Sequence, residues 1–123
     1  DELSIVGDQI GCPTYAQDIA KTIVHVIDCI DYREVNSGLY HYCGDQAFSW
    51  CDFAKAIFTE AAFLGIKTPD AVHAISTAAY PTAAFRPAFS VLDCSKIENE
   101  FGVTASDWRE GISTVLKAVW EVT

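Results

Sequence analysis

Asp8-Gln9-Ile10-Gly11-Cys12-Pro13-Thr14-Tyr15-Ala16-Gln17-Asp18-Ile19-Ala20 decides how this chain is read. Just before it, Leu3 to Val6 has the composition of a short strand's end. Gly7 and Gly11 allow the backbone to turn, and Pro13 fixes its own φ and pushes Cys12 towards an extended shape. Thr14 stands where a helix should start. Its hydroxyl is expected to accept from the Gln17 N–H while Gln17 reaches back, a capping box, with Asp18 complementing the helix dipole. Ala16, Ile19, Ala20, Ile23, Val24, Ile27 and Ile30 follow at helical spacing. The result is a strand, a rigid loop and a capped helix in close succession. In α/β proteins such loops often line ligand sites, although the same pattern also serves as a plain connection.

With 123 residues, half of them apolar, the chain is long enough for a single domain, residues 1–123, with a real core. Its net charge of −9 argues against nucleic acid and anionic membranes as partners. No apolar run approaches the roughly 18 residues that cross a bilayer, and no basic segment leads into an apolar one as in a signal peptide. The chain is expected to work in the cytoplasm. Its five cysteines include no C-x-x-C pair, so they read as reduced thiols, mostly small core residues, and not as a disulfide framework or zinc site.

Further along, Asp31 to Gly38 is a polar loop, and Leu39-Tyr40-His41-Tyr42-Cys43 is rich in strand formers. Ser49 and Asp52 mark a second helix start, with Trp50, Phe53, Ala54, Ile57, Phe58, Ala61 and Leu64 on its apolar face and Gly65 as a natural C-terminal residue. Trp50 and Phe53 read most simply as core anchors. Val72 to Ile75 is a strand candidate, and Pro81 and Pro87 exclude a regular helix from Ser76 to Pro87. Phe89 to Asp93 is a short extended piece. Ser95 opens a short helix ending at Gly102, and Ser106 caps a last helix carrying Trp108, Ile112, Val115, Leu116, Val119 and Trp120.

Arg86 is the only formally charged residue between Asp70 and Asp93. In so acidic a chain it either pairs with a carboxylate or clamps an anion, for which guanidinium has the right bidentate geometry. The chain has no G-x-G-x-x-G, no P-loop, no G-x-S-x-G and no H-E-x-x-H. His25, His41 and His73 read as structural. The residues alone therefore show no complete catalytic constellation.

Several segments together resemble one family, the dTDP-4-dehydrorhamnose reductases, which are extended short-chain dehydrogenase/reductases. They are Val6 to Tyr15 with Asp18-Ile19-Ala20; Gly38 to Tyr42 with Gly44; Ser49-Trp50 with Phe53-Ala54; Ala79-Tyr80-Pro81-Thr82 leading to Arg86-Pro87 and Ser90 to Asp93; and Asp107 to Gly111. They fall in family order and cover nearly the whole chain. The resemblance is to the C-terminal portion. The family's glycine-rich cofactor loop and its Y-x-x-x-K catalytic pair have no counterpart among Tyr15, Tyr32, Tyr40, Tyr42 and Tyr80.

The resemblance implies an α/β fold: the substrate-binding lobe of a Rossmann-like reductase, with short strands, about four helices, and elements that complete the sheet of a cofactor-binding half. NADPH, bound by an N-terminal half absent from this chain, would reduce the C4 ketone of dTDP-4-dehydro-L-rhamnose to give dTDP-L-rhamnose for cell-surface polysaccharide. The isolated chain is expected to be inactive and to expose apolar surface where that half packs. Arg86 matches the arginine of the family's R-P loop, on the nucleotide-sugar side, and Gln9, Thr14 and Tyr15 match the loop near the sugar. One departure is Ala83-Ala84-Phe85, where family members often carry a basic residue before R-P. A homodimer and a magnesium ion are left open. The alternatives are a non-catalytic module resembling the regulatory subunit of methionine adenosyltransferase, or a reductase or epimerase for another nucleotide sugar.

Overall fold

The computed structural model describes residues 1–121. Parallel strands β1 (Glu2–Val6) and β4 (Ala71–Ile75) pair in register from Glu2 opposite Ala71 to Val6 opposite Ile75. Between them in sequence lie β2 (Ile10–Gly11), α1 (Ala16–Tyr32), β3 (Phe48–Ser49) and α2 (Trp50–Phe63), and a short antiparallel ladder joins β2 to β3. A single 3₁₀ turn (Thr77–Ala79), α3 (Ser95–Phe101) and α4 (Trp108–Glu121) follow. The architecture is α/β with four helices, as expected.

Helix α2 forms where the sequence places it. Ser49 Oγ accepts from the Asp52 N–H at 3.0 Å and donates to the Asp52 carboxylate at 2.7 Å. At the other end Gly65, at φ 73°, closes a Schellman motif in which Gly65 N–H donates to the Ala62 carbonyl and Ile66 N–H to that of Ala61. The helix packs against both β1 and β4.

Other helix starts differ from expectation. Thr14 does not cap α1. Its hydroxyl donates to the Cys12 carbonyl at 3.0 Å and accepts from Gly44 N–H at 3.1 Å. The cap comes from across the chain: Ser106 Oγ accepts from Tyr15 N–H at 3.0 Å and donates to Asp18 Oδ2 at 2.8 Å. With Ser106 so engaged, Asp107 caps α4, its Oδ1 accepting from Arg109 and Glu110 N–H. Asp93, not Ser95, heads α3 by accepting from Ser95 N–H at 2.9 Å. Ser106 is 1% exposed, so Ser106→Ala leaves the half-buried Tyr15 N–H and the Asp18 carboxylate each short of a partner. It is expected to cost about 1–2 kcal/mol, read as a lower urea midpoint at unchanged slope.

Leu39 to Cys43 has no ladder neighbour among the described residues, so it is not a strand here. Its carbonyls are met one at a time: Leu39 by Lys96 Nζ at 3.0 Å, Cys43 by Ser106 N–H at 3.2 Å. Among the described residues Phe89 to Asp93 likewise forms no strand, and its one β-bridge joins Phe89 to Ile10.

One core cluster comprises Cys43, Cys94, Ile97 and Phe101, with Cys12, Val26, Cys29 and Tyr42 packed around it. A second contact joins α2 to α4: Trp108 meets Phe48 and Phe53 edge-on, at 4.6 and 6.1 Å between centroids. The apolar stripe of α1 does not enter either. Ile19, Ile23, Val24, Ile27 and Ile30 are 39–58% exposed, while Thr22, Val26 and Cys29 face inward. The chain's accessible surface of 8323 Å² exceeds the roughly 6,500 Å² that size scaling gives for a compact monomer of this mass. Large apolar side chains such as Tyr32, Leu39, Phe63 and Phe85 lie exposed in addition to the α1 stripe, the exposed surface expected from the sequence.

Candidate functional site

In parallel pairs, ligand loops leave from the carboxyl ends of the strands. Here the loop after β1 begins at Gly7 and the loop after β4 at Ser76. The two are locked together. Both carboxylate oxygens of Asp8 accept from Thr77 N–H, at 2.9 and 3.0 Å, and Oδ1 accepts from the Thr77 hydroxyl at 2.6 Å. Gln9 Nε2 donates to the same hydroxyl at 3.1 Å. Further along, Ile10 N–H donates to the Ala88 carbonyl and Ser90 N–H to the Ile10 carbonyl, both at 2.8 Å. The segment from Tyr80 to Pro87 is therefore anchored at both ends and projects between the anchors.

Arg86 is carried on that segment. It is exposed, and none of the ion pairs among the described residues includes it. The salt-bridge alternative is not realised in this structure. Phe85, Phe89 and Tyr80 beside it are 96%, 67% and 57% exposed, so a cation and aromatic rings share one surface. That combination suits an anionic ligand bearing a flat ring.

The Thr77 hydrogen bonds hold the Asp8 carboxyl below its ordinary pKa. A carboxylate depressed in the folded state stabilises the lock fully above the unfolded value, near pH 4, and loses that contribution as pH falls through the folded pKa. The Thr77 amide proton, followed by NMR, is expected to titrate with a midpoint below about 3.9 and to show no such titration in Asp8→Asn. A midpoint at or above the ordinary aspartate value would contradict the lock.

Thr14 and Tyr15 engage a different set of elements. Thr14 bridges Cys12 and Gly44 as above. Tyr15 donates its hydroxyl to Gln17 Oε1 at 2.8 Å, and its ring lies against Gly111, where an added Cβ would approach it to 2.8 Å. Tyr15 also lines an apolar cavity of ≈ 250 Å³ with Phe53, Trp108 and Val115. A second cavity, ≈ 270 Å³, runs from Gly11–Thr14 past Trp50 to Ser90 and Leu92, and so joins Thr14 to the foot of the Arg86 loop. Sequence reasoning missed three contributors. Trp50 is not a core anchor but is 55% exposed and lines that cavity. Asp8 and Thr77 make the lock across 69 residues, a pairing with no local signal in the sequence. His25 is structural as expected, its Nε2 2.8 Å from the Phe101 carbonyl oxygen.

No group of three or more His, Cys, Asp and Glu among the described residues is arranged to hold a metal ion. No helix among them is long and apolar enough to cross a membrane.

The fold is similar to that of a dTDP-4-dehydrorhamnose reductase from Clostridium acetobutylicum, with a TM-score of 0.80 and 32% identity over 98% of this chain and 39% of that one. The reductase of Bacillus anthracis, solved in complex with NADP, matches with a TM-score of 0.76 and 32% identity over 96% of this chain and 38% of its own. In sequence, the dTDP-4-dehydrorhamnose reductase of Aggregatibacter actinomycetemcomitans is 45% identical over 94% of this chain and 40% of its own length. That of Sinorhizobium fredii is 39% identical over 98% of this chain. The chain thus spans about 40% of the length of the curated relatives it matches. The family model of the RmlD substrate binding domain matches residues 1–120, and the chain belongs to that family.

Proposed function

We propose that this chain is the substrate-binding part of an NADPH-dependent reductase that converts dTDP-4-dehydro-L-rhamnose to dTDP-L-rhamnose in the cytoplasm, for cell-surface polysaccharide. The observation that carries the reading is the pairing of the family match with the exposed Arg86. That arginine joins no ion pair among the described residues and sits on a loop anchored at the carboxyl end of the parallel strands. Arg86 takes the diphosphate, and the aromatic residues beside it take the base. Gln9 holds the loop through Thr77. Thr14 and Tyr15 shape the inner wall towards the sugar.

This chain's own residues do not fit the cofactor alone. They include no glycine-rich phosphate loop and no Y-x-x-x-K pair, so NADPH and the proton donor belong to the remainder of a longer protein. The exposed face of α1 is where that remainder packs, and the ladder-less Leu39–Cys43 is positioned to extend its sheet.

The test is NADPH oxidation by the complete reading frame with dTDP-4-dehydro-L-rhamnose. Turnover is expected with the whole protein and none with this chain alone. A complete protein that binds a partner stably but never oxidises NADPH would instead favour the regulatory-module reading, which the exposed α1 face also suits.

A further inference from the structure

Cys43 and Cys94 are far apart in sequence, yet their Sγ atoms lie 3.5 Å apart in the core. The two residues are 7% and 8% exposed. Cys12 packs against the same cluster. Cys29 lies at the cluster's edge with its Sγ against His25, and Cys51 is buried elsewhere. The gathered thiols do not form a metal site among the described residues.

We propose that Cys43 and Cys94 are an oxidation site, at which a peroxide forms an intramolecular disulfide that a thiol reductant reopens. Access is provided by the ≈ 270 Å³ cavity, whose wall includes Cys12 and Cys43 but not Cys94. Of the pair, Cys43 is therefore the one that peroxide meets first. The O–O bond breaks, one oxygen bonds to the Cys43 sulfur as a sulfenic acid, and the other leaves as water with the thiol proton. The Cys94 sulfur then attacks the sulfenic sulfur. The S–S bond forms, the S–O bond breaks, and the departing hydroxide takes the Cys94 proton as a second water. The two thiols lose two electrons and the peroxide is reduced to water.

The geometry suits this step. Bringing the sulfurs from contact to a bond of about 2.05 Å asks each to move less than about 1 Å, within reach of small side-chain rotations. Burial holds the Cys43 thiol up and pushes that of Cys94 to about 11. Thiolate is scarce, so the pair responds to sustained oxidant and not to brief exposure. Once formed, the link ties the residue before Gly44 to the head of α3, at the foot of the Arg86 loop.

The complete protein, folded and reduced, is treated with hydrogen peroxide. Free thiols are then alkylated in denaturant and the peptides mapped. The expected product is a dominant Cys43–Cys94 cross-link that dithiothreitol removes and that is missing from Cys43→Ala and Cys94→Ala, with Cys29 and Cys51 still alkylated. The oxidised protein should also melt about 5 °C or more higher, because a long loop is closed in the unfolded chain. Sulfinic acid without a cross-link, links dominated by Cys12 or mixed pairs, or links only between molecules would each overturn the proposal. The mapping is done on the unsubstituted protein, so poor folding of a variant does not obscure it.

Discussion

Gly44→Ala is expected to destabilise the fold by about 3–5 kcal/mol, a large fraction of the 5–15 kcal/mol that ordinary domains possess. A Cβ at this position would lie far inside van der Waals contact distance of the Pro13 carbonyl oxygen, a backbone atom that cannot rotate away. Retreat is blocked from the other side. The Cys43 carbonyl accepts from Ser106 N–H at 3.2 Å, and Asp45 N–H donates to the Ser106 carbonyl at 3.1 Å, so Gly44 is clamped against Ser106. Any shift that relieves the clash also breaks Gly44 N–H to Thr14 Oγ1. Overpacking and lost buried hydrogen bonds then act together. Urea unfolding measures the effect as a fall in midpoint. A change under about 0.5 kcal/mol, the range of ordinary surface substitutions, would show that the Pro13 backbone is not held where the structure puts it.

Arg86→Ala is expected to raise KM for the dTDP-sugar about 10- to 100-fold in the complete protein, with the melting temperature unchanged. The magnitude is that of one charge-assisted hydrogen-bonded contact, about 1.5–3 kcal/mol. Stability is spared because Arg86 is exposed and joins no ion pair among the described residues. Arg86→Lys keeps the charge but loses the planar fork, so it should recover only part of the affinity. A variant that melts lower while KM stays constant would place Arg86 in the scaffold.

The elements legible in the sequence were those whose signal is local. The α1 and α2 stripes, Ser49 as a cap and Gly65 as a terminator each depend on residues within a turn or two. What failed was attribution across the chain. Thr14 and Ser106 both had the chemistry of caps, but Ser106 serves a helix start 91 residues away and Asp107 takes the role assigned to it. Leu39 to Cys43 had strand composition, yet a strand requires a neighbour, and composition does not supply one. The isolation of Arg86 was visible in the charge pattern. The lock beneath it joins Asp8 and Thr77 over 69 residues and leaves no local trace, as does the contact of Cys43 with Cys94 over 51.

The most direct measurement is a pair of titrations on the complete protein, dTDP and NADPH, each into the unsubstituted form and into Arg86→Ala. If this chain carries substrate recognition and the remainder carries the cofactor, dTDP affinity falls at least about tenfold while NADPH affinity is unchanged. Loss of NADPH affinity with dTDP affinity intact, or no change in either, would contradict that division.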